Sequence, residues 1–422
     1  MDKDKQRSHI YFMKGGIDMT IFNVYKRNIT NVCLVIGMMI AIWYFGRQML
    51  TEERIWAQEN LNMYSGSYAL MDADTGRVLV GKEETNPMAN ASTTKILTCI
   101  VTLENCTLEE VVTVSTNAAS QPKVRYGMKE GEQYPLSELI YGLMLESYND
   151  CAVAIAEHVA GSEENFAKLL NEKAKEIGCE DTYFITPNGL DAENEDGFHH
   201  TTAEDLCKIM AYCVWESPKK EKFLEITQTK NYGSFVNRNA FLDQMEGVLS
   251  GKTGFTAKAG YCYVAALEQN GERYTIALLA CGWPNNKTYK WHDARVLFSH
   301  GLETYDVKTV EFETMSDKLE IEGYTEPPLF LNLNQPSLLE LQAENRSYTL
   351  LMSVKEQLRV EEKWYKKPKL PIEEGTVLGE YQLYLGEVQI DSIPIIAMDS
   401  GRAWNFKNTF EVILRQYLSV TS

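Results

Sequence analysis

A Lys-Thr-Gly string at positions 252–254 occurs once in this 422-residue chain and restricts its fold more than any other feature. Two further polar motifs precede it, Ser-Thr-Thr-Lys at 92–95 and Ser-Tyr-Asn at 147–149. Each pattern alone is weak, since Ser-x-x-Lys recurs at 120–123 and 217–220. Only one combination gives all three motifs a suitable context: a helix start, a joint between two helices and a strand. The chain must therefore bring three distant segments together on a mixed scaffold.

Hydrophobic patterns around the motifs predict helices flanking an antiparallel sheet, the α+β arrangement of the α/β class. Residues 66–83 form two apolar runs around a DADTG turn, which predicts a hairpin. A helix is predicted at 91–103, where the Ser-Thr-Thr hydroxyls suit an N-cap. Further helices are predicted at 136–145, 150–160, 162–178 and 291–302, and strands at 261–267 and 274–281. We expect these elements to form one domain over residues 60–305.

The composition changes near residue 306. From there to 400 short strand-like runs are broken by Pro and Gly, which predicts a small β-rich C-terminal domain. Residues 402–420 place five large apolar side chains on one helical face. This amphipathic helix either docks on the chain's own domains or lies in a membrane interface.

The N-terminal segment has the pattern of a membrane-targeting signal. Residues 29–46 form an 18-residue uncharged run, and six Lys or Arg precede it against three Asp. The positive-inside rule then predicts a cytoplasmic tail at 1–28, a signal-anchor at 29–46 and an extracytoplasmic remainder at the cell membrane. A cleaved signal peptide is the alternative.

Charge and cysteine usage exclude other classes. The net charge is −18 without a basic block, so nucleic acid is not an expected partner. Eight of nine cysteines lie between Cys99 and Cys281, and none forms a metal-binding spacing. Because they fall in apolar, helix-like patterns, we expect most to be buried free thiols.

The first motif has the residue types of a serine nucleophile with its base. Lys95 lies three residues after Ser92, so on a helix the two side chains share a face. A lysine accepts a proton only when burial and nearby positive charge lower its pKa, and Lys252 would supply that charge. The N–H groups of Ser92 and Phe255 would donate to the oxyanion.

The other motif residues suit substrate binding and proton transfer. Ser147 would relay a proton to the leaving amine, and Asn149 would hold Lys95 and the substrate amide. Thr253, with Lys252 behind it, would bind a terminal carboxylate. This combination favours an enzyme that removes the residue at a free C-terminus.

Longer strings around the motifs resemble the serine-type D-Ala-D-Ala carboxypeptidases, the low-molecular-mass penicillin-binding proteins. The matching strings are ASTTKILT (91–98), LESYNDCAVAIAEHVAG (145–161), TPNGL (186–190), HHTTAEDL (199–206) and GKTGFTAKAGYC (251–262). The resemblance implies a β-lactamase/transpeptidase-like domain, followed by the family's accessory β domain. It also implies removal of the terminal D-alanine of peptidoglycan stem peptides ending in D-Ala-D-Ala, without metal or cofactor, and covalent inhibition by β-lactams.

The resemblance assigns roles residue by residue. Ser92 would be acylated and Lys95 would be the base. The resemblance implies that Ser147, Asn149, Lys252, Thr253 and Gly254 complete the site, and that Lys290 faces the substrate carboxylate. One departure is Tyr148, where the family usually has glycine, and this change bears on substrate preference.

Two alternatives remain open. A class A β-lactamase shares the three motifs but needs a glutamate in Glu-x-x-Leu-Asn, and here Ala167 stands three residues before Leu170-Asn171. The other alternative is a catalytically silent cell-wall or sporulation scaffold. The competent residue types at every motif position argue against a scaffold.

Overall fold

A computed structural model describes residues 61–313, 318–320, 338–366, 369 and 371–400. The predicted N-terminal tail, the anchor at 29–46 and the amphipathic helix at 402–420 lie outside these residues. Within the described ranges, no helix combines the length and apolar character needed to cross a membrane. The elements below all belong to the compact unit that begins at Met63.

The first domain contains eleven strands and eight helices among its described residues. The strands are β1 (Ser67–Asp72), β2 (Val78–Lys82), β3 (Val111–Thr113), β4 (Gln133–Pro135), β5 (Glu193–Asn194), β6 (Gly197–Phe198), β7 (Asn231–Tyr232), β8 (Phe235–Val236), β9 (Val248–Thr256), β10 (Gly260–Gln269) and β11 (Glu272–Leu279). The helices are α1 (Lys95–Asn105), α2 (Thr116–Ala119), α3 (Leu136–Tyr141), α4 (Asn149–Ala160), α5 (Glu163–Ile177), α6 (Ala203–Ala211), α7 (Lys220–Gln228) and α8 (Tyr289–Thr304). Single turns of 3₁₀ type at Ala91–Thr94 and Ala240–Asp243, and of π type at Gly142–Glu146 and Tyr212–Glu216, complete the set.

Five strands form an antiparallel sheet in the order β2-β1-β11-β10-β9. Successive strand residues face opposite sides, so each face has its own helical cover. Val264, Ala266 and Ala277 join the main core with the helices that carry the motifs. On the other face, Tyr263 contacts Trp291 of α8, with ring centroids 5.0 Å apart. The predicted α+β domain, its hairpin and its flanking helices are confirmed.

The C-terminal part is rich in β-structure, as predicted. Its strands are β12 (Tyr305–Phe312), β13 (Lys318–Glu320), β14 (Leu338–Gln342), β15 (Arg346–Ser353), β16 (Leu358–Trp364), β17 (Val377–Leu385) and β18 (Val388–Ala397). β12 pairs with β15, and the others form a sheet in the order β13-β14-β18-β17-β16. Leu339, Leu383 and Ile393 belong to a separate apolar core. Arg77 of the first domain donates to the Leu351 carbonyl at 2.8 Å and pairs with Glu356, which joins the two parts.

Candidate active site

Ser92 lies in the 3₁₀ turn that leads into α1. The buried side chain of Asn90 fixes this turn by donating to the hydroxyls of Thr93 and Thr94, at 3.0 and 2.9 Å. The Ser92 hydroxyl, which accepts from Lys95 Nζ at 2.8 Å, is half-buried. The predicted nucleophile and base are therefore in direct contact.

Lys95 is completely buried, and its ammonium nitrogen contacts only uncharged oxygens among the described residues. Besides Ser92, Nζ donates to Asn149 Oδ1 at 2.9 Å and to the Asn188 carbonyl at 2.6 Å. Burial, followed by the charge of Lys252, lowers the Lys95 pKa well below its ordinary value. Both causes disfavour the ammonium form. A neutral Lys95 can accept the proton of the Ser92 hydroxyl.

Lys252 and Ser147 form the second polar pair of the site. Lys252 Nζ donates to Ser147 Oγ at 2.9 Å and to the Thr253 carbonyl at 3.0 Å. Burial first, and then the charge of Arg238, lowers the Lys252 pKa to about 7. Arg238 is itself paired with Glu146 at 2.6 Å. Lys252 can consequently exchange a proton near neutral pH.

Ser147 has an unusual backbone that directs its side chain into the site. It follows the π turn with φ of 65°, a left-handed conformation that is uncommon for residues other than glycine. Asn149 starts α4 two residues later, and its N–H donates to the Val124 carbonyl at 2.8 Å. The joint between two helices thus presents Ser147 to Lys252 and Asn149 to Lys95.

Edge strand β9 packs tightly against the Ser92 turn at Gly254. A Cβ on Gly254 would lie 2.9 Å from the Ser92 nitrogen and 3.0 Å from the Asn90 carbonyl oxygen. Only glycine leaves room for this approach, which aligns β9 beside the nucleophile. Next to it, Thr253 is half-buried, and the described residues offer its hydroxyl no hydrogen bond. The Phe255 ring is exposed and packs on Tyr261, with centroids 4.7 Å apart.

Lys290 lies in the first turn of α8. Its ammonium donates to the Lys287 carbonyl and lies over the rings of Tyr261 and Trp291, 4.8 and 4.6 Å from their centroids. The hydrogen bonds of the described residues do not connect it to Ser92 or Lys95. Its predicted contact with a substrate carboxylate stays a prediction.

Sequence reasoning assigned no task to the main chain of the TPNGL segment. The Asn188 carbonyl accepts from Lys95, and Gly189 adopts φ of 79° with its Cβ position 1.9 Å from the Ala91 carbonyl oxygen. Only glycine fits there. Pro-Asn-Gly predicts a turn, but a main-chain acceptor has no residue signature that could reveal its partner.

His199 is a buried histidine with a structural role. Its Nδ1 accepts from the Ile185 N–H at 3.0 Å, so Nε2 carries the hydrogen and donates to Thr94 Oγ1 at 2.9 Å. Burial lowers its pKa to about 3, which keeps the ring neutral. It supports the turn that holds Ser92.

The Tyr148 ring packs in an aromatic cluster with Tyr126 and Phe235. Its ring stacks on Tyr126 at 5.4 Å between centroids and meets Phe235 edge-on at 5.7 Å. A Cβ on Gly142 would lie 3.1 Å from the Tyr148 ring, so the π turn lies directly against it. The ring is anchored on the wall of the site beside Ser147.

The cysteines agree with the sequence expectation. All eight described thiols are free, and six of them are buried. Cys33 lies outside the described residues.

Comparison with known proteins finds a matching family and several named relatives. A model of the D-alanyl-D-alanine carboxypeptidase family (peptidase S11) matches residues 54–280, which include all three motifs. The chain is 34% identical over 233 residues to the D-alanyl-D-alanine carboxypeptidase DacF of Bacillus subtilis, a match that covers 52% of this chain and 58% of that protein. It is 26% identical over 389 residues to DacD of Escherichia coli, covering 87% of this chain and 94% of the relative.

A solved structure extends the likeness to both parts of the fold. The D-alanyl-D-alanine carboxypeptidase DacD of Francisella tularensis has a TM-score of 0.61, with 22% identity over 81% of this chain and 94% of that one. At this identity the likeness concerns the fold alone.

Proposed function

Since this chain belongs to the D-alanyl-D-alanine carboxypeptidase family and is a serine-type carboxypeptidase, we propose that Ser92 is its acylated residue and Lys95 the base. The contact of 2.8 Å between Nζ of the fully buried Lys95 and Oγ of the half-buried Ser92 carries this assignment. The second Ser-x-x-Lys copy at 120–123 begins at an exposed Ser120.

Acylation proceeds by attack of Ser92 Oγ on the carbonyl carbon between the last two D-alanines. Lys95 takes the hydroxyl proton, and the N–H groups of Ser92 and Phe255 stabilise the oxyanion. The C–N bond then breaks, and the proton taken by Lys95 passes by way of Ser147 and Lys252 to the leaving amine, which returns Lys95 to its neutral form. Water next attacks the ester, again with Lys95 as base, which releases the shortened peptide and restores Ser92.

Specificity for a free C-terminus would come from Thr253 and Lys252. The Thr253 hydroxyl, for which the described part of the chain provides no hydrogen-bond partner, and the cation of Lys252 behind it suit a carboxylate, the group that distinguishes a chain end from an internal peptide bond. Lys290 is the proposed additional cation. The substrate class is the peptidoglycan stem peptide ending in D-Ala-D-Ala.

We place the catalytic domain outside the cytoplasmic membrane. The uncharged run at 29–46, with its basic flank, is the proposed anchor, and the helix at 402–420 is a second candidate contact. Both proposals rest on the sequence pattern. A fractionation of cells before and after deletion of residues 29–46 tests the anchor, and unchanged membrane retention would contradict it.

β-Lactams should acylate Ser92 and leave slowly. Within the described chain, Ser92 and Lys95 have no carboxylate hydrogen-bond partner that could activate a deacylating water. Ala167 offers none, and Asn171 is engaged with the main chain of Phe184 at 2.7 and 2.8 Å. A long-lived adduct therefore separates this enzyme from a β-lactamase.

The decisive experiment combines intact mass and product release. Full-length protein is incubated with benzylpenicillin, and D-alanine release from an acyl-Lys-D-Ala-D-Ala peptide is assayed in parallel. Ser92→Ala should abolish both signals, whereas Ser120→Ala, the matched serine of the other motif copy, should keep both. An adduct on Ser92→Ala refutes the assignment, absence of any adduct on the parent favours the silent scaffold, and rapid antibiotic turnover indicates a β-lactamase.

A further inference from the structure

Three potential metal ligands meet far from the candidate active site. Cys106 follows the end of α1, Glu110 lies in the next turn, and His158 is in the last turn of α4. One donor atom from each residue, a thiol sulfur, a carboxylate oxygen and an imidazole nitrogen, lies within 4.8 Å of the other two. Glu110 follows Cys106 by 4 positions and His158 follows Glu110 by 48, so the three residues form no recognisable sequence motif.

We propose that Cys106, Glu110 and His158 bind a divalent transition-metal ion of the zinc class. Zinc prefers sulfur, nitrogen and oxygen donors, and many zinc sites use three protein ligands with water as the fourth. Bonds of about 2.0–2.3 Å in a tetrahedral arrangement separate ligand atoms by about 3.3–3.8 Å. The separations here need rotamer adjustments of about an ångström.

Glu110 is already held in place by hydrogen bonds. Glu110 Oε1 accepts from the Thr107 N–H at 2.6 Å and from its hydroxyl at 3.2 Å, which leaves Oε2 for the metal. That Oε2 lies 2.9 Å from His158 Nε2. Hydrogen bonds that fix a ligand from behind are typical of metal sites. All three side chains are partly accessible, so an ion can enter from solvent.

The electrostatics of the fold favour a cation at this position. Cys106 and His158 both lie at helix C-termini, where the helix dipole is negative. The Cys106 N–H donates to the Thr102 carbonyl at 2.9 Å and closes α1 beside the proposed site. A divalent ion would compensate the negative dipole ends of two helices as well as the charges of Glu110 and a Cys106 thiolate.

An ion at this position would stabilise the two helices that carry Lys95 and Asn149. α1 begins with Lys95 and α4 begins with Asn149, and the two helices pack against each other. With 11 and 12 residues, both helices place their far ends about 16–18 Å from these catalytic candidates. The metal would join these far ends and stabilise the pair of helices without contacting the substrate.

Cobalt titration of the reduced, metal-free full-length protein tests the proposal. The parent should bind one equivalent of Co²⁺ with a thiolate-to-cobalt absorption band, and Zn²⁺ should displace it. Zn²⁺ at about a hundred-fold excess over Kd should raise Tm by roughly 5 °C. Cys106→Ser should lose the band, whereas Cys179→Ser, the other half-buried thiol, should keep it.

Two further variants keep the test independent of folding. His158→Gln and Glu110→Gln change partly exposed side chains and should weaken binding at least ten-fold, with benzylpenicillin acylation at Ser92 confirming that each variant is folded. No band in the parent, a band that persists in Cys106→Ser, or equal loss in Cys179→Ser would overturn the site. Because acylation is read separately, failure of the metal site leaves the proposed function intact.

Discussion

Adding one methyl group at Gly254 should disable acylation while leaving the protein folded. The new Cβ would lie 2.9 Å from the Ser92 nitrogen, 3.0 Å from the Ala91 Cβ and 3.0 Å from the Asn90 carbonyl oxygen. Relief of these contacts requires β9 or the Ser92 turn to move by about half an ångström or more. Because the backbone at Gly254 is outside the left-handed region, the effect is steric only.

The expected loss of acylation rate follows from the groups that this displacement would move apart. The Ser92 N–H is a proposed oxyanion donor, and loss of such a donor lowers rates by about 10²–10³. A misplacement approaching 1 Å has a similar cost of about 10². We expect Gly254→Ala to reduce the second-order rate of benzylpenicillin acylation about 100-fold, equivalent to about 2.7 kcal/mol of transition-state stabilisation. The free energy of unfolding should fall by about 1–2 kcal/mol.

The assay measures acylation by intact mass over time, with Tm measured on the same samples. Gly81→Ala in β2 is the matched control, since the atoms nearest to its methyl all belong to the movable Glu84 side chain, the first at 2.7 Å. The control should acylate at the parental rate. A Gly254→Ala rate within threefold of the parent would show that the close approach of β9 to Ser92 is unnecessary for acylation.

Three further predictions concern charge, burial and the aromatic wall. For acylation, kcat/KM should rise as the pH passes the lowered pKa of Lys95, because the base must be neutral. It should decline above a pH of about 7, where Lys252 loses its charge. In Lys252→Arg the alkaline decline should vanish, and a pH profile identical to that of the parent would contradict the assignment. Asp150→Ala removes the acceptor of the N–H groups of Tyr126 and Gly127, at 2.9 and 2.7 Å, and should lower the free energy of unfolding in urea by about 3 kcal/mol; a loss below 1 kcal/mol would refute this account. Tyr148→Phe should keep parental stability and acylation, since the ring acts through its contacts with Tyr126 and Phe235, whereas Tyr148→Gly should cost about 2 kcal/mol; equal effects of both variants would point to the hydroxyl.

Features that depend on nearby residues were predictable from the sequence. The spacing of Ser92 and Lys95 by one turn predicted their contact, and apolar periodicity located α4, α5 and α8. The need for a neutral Lys95 also predicted a second cation, which the structure places at Lys252. The β-rich C-terminal part followed from composition.

Features that depend on long-range packing were not predictable. The Asn188 carbonyl accepts from Lys95 across 93 positions, and any residue type could supply that oxygen. Arg238 lowers the pKa of Lys252. It can do so only because it pairs with Glu146, 92 positions away in the chain. Similarly, the sequence identified Tyr148 as a departure but could not locate Tyr126 and Phe235, which hold its ring aside.

The identity of the groups around Lys95 explains how one buried amine can serve as a base. Its closest partners in the described chain are a hydroxyl, an amide oxygen and a main-chain carbonyl, none of which fixes a positive charge as a carboxylate would. Asp150 lies next to Asn149 in sequence, yet its carboxylate accepts main-chain N–H groups of the 126–128 loop and leaves Lys95 to Asn149. If the two functions were exchanged, the carboxylate at position 149 would pair with the Lys95 ammonium and raise the pKa of Lys95. An uncharged amide at this position is therefore a requirement of the chemistry, because the same hydrogen bond from an aspartate would hold the proton that Lys95 must release.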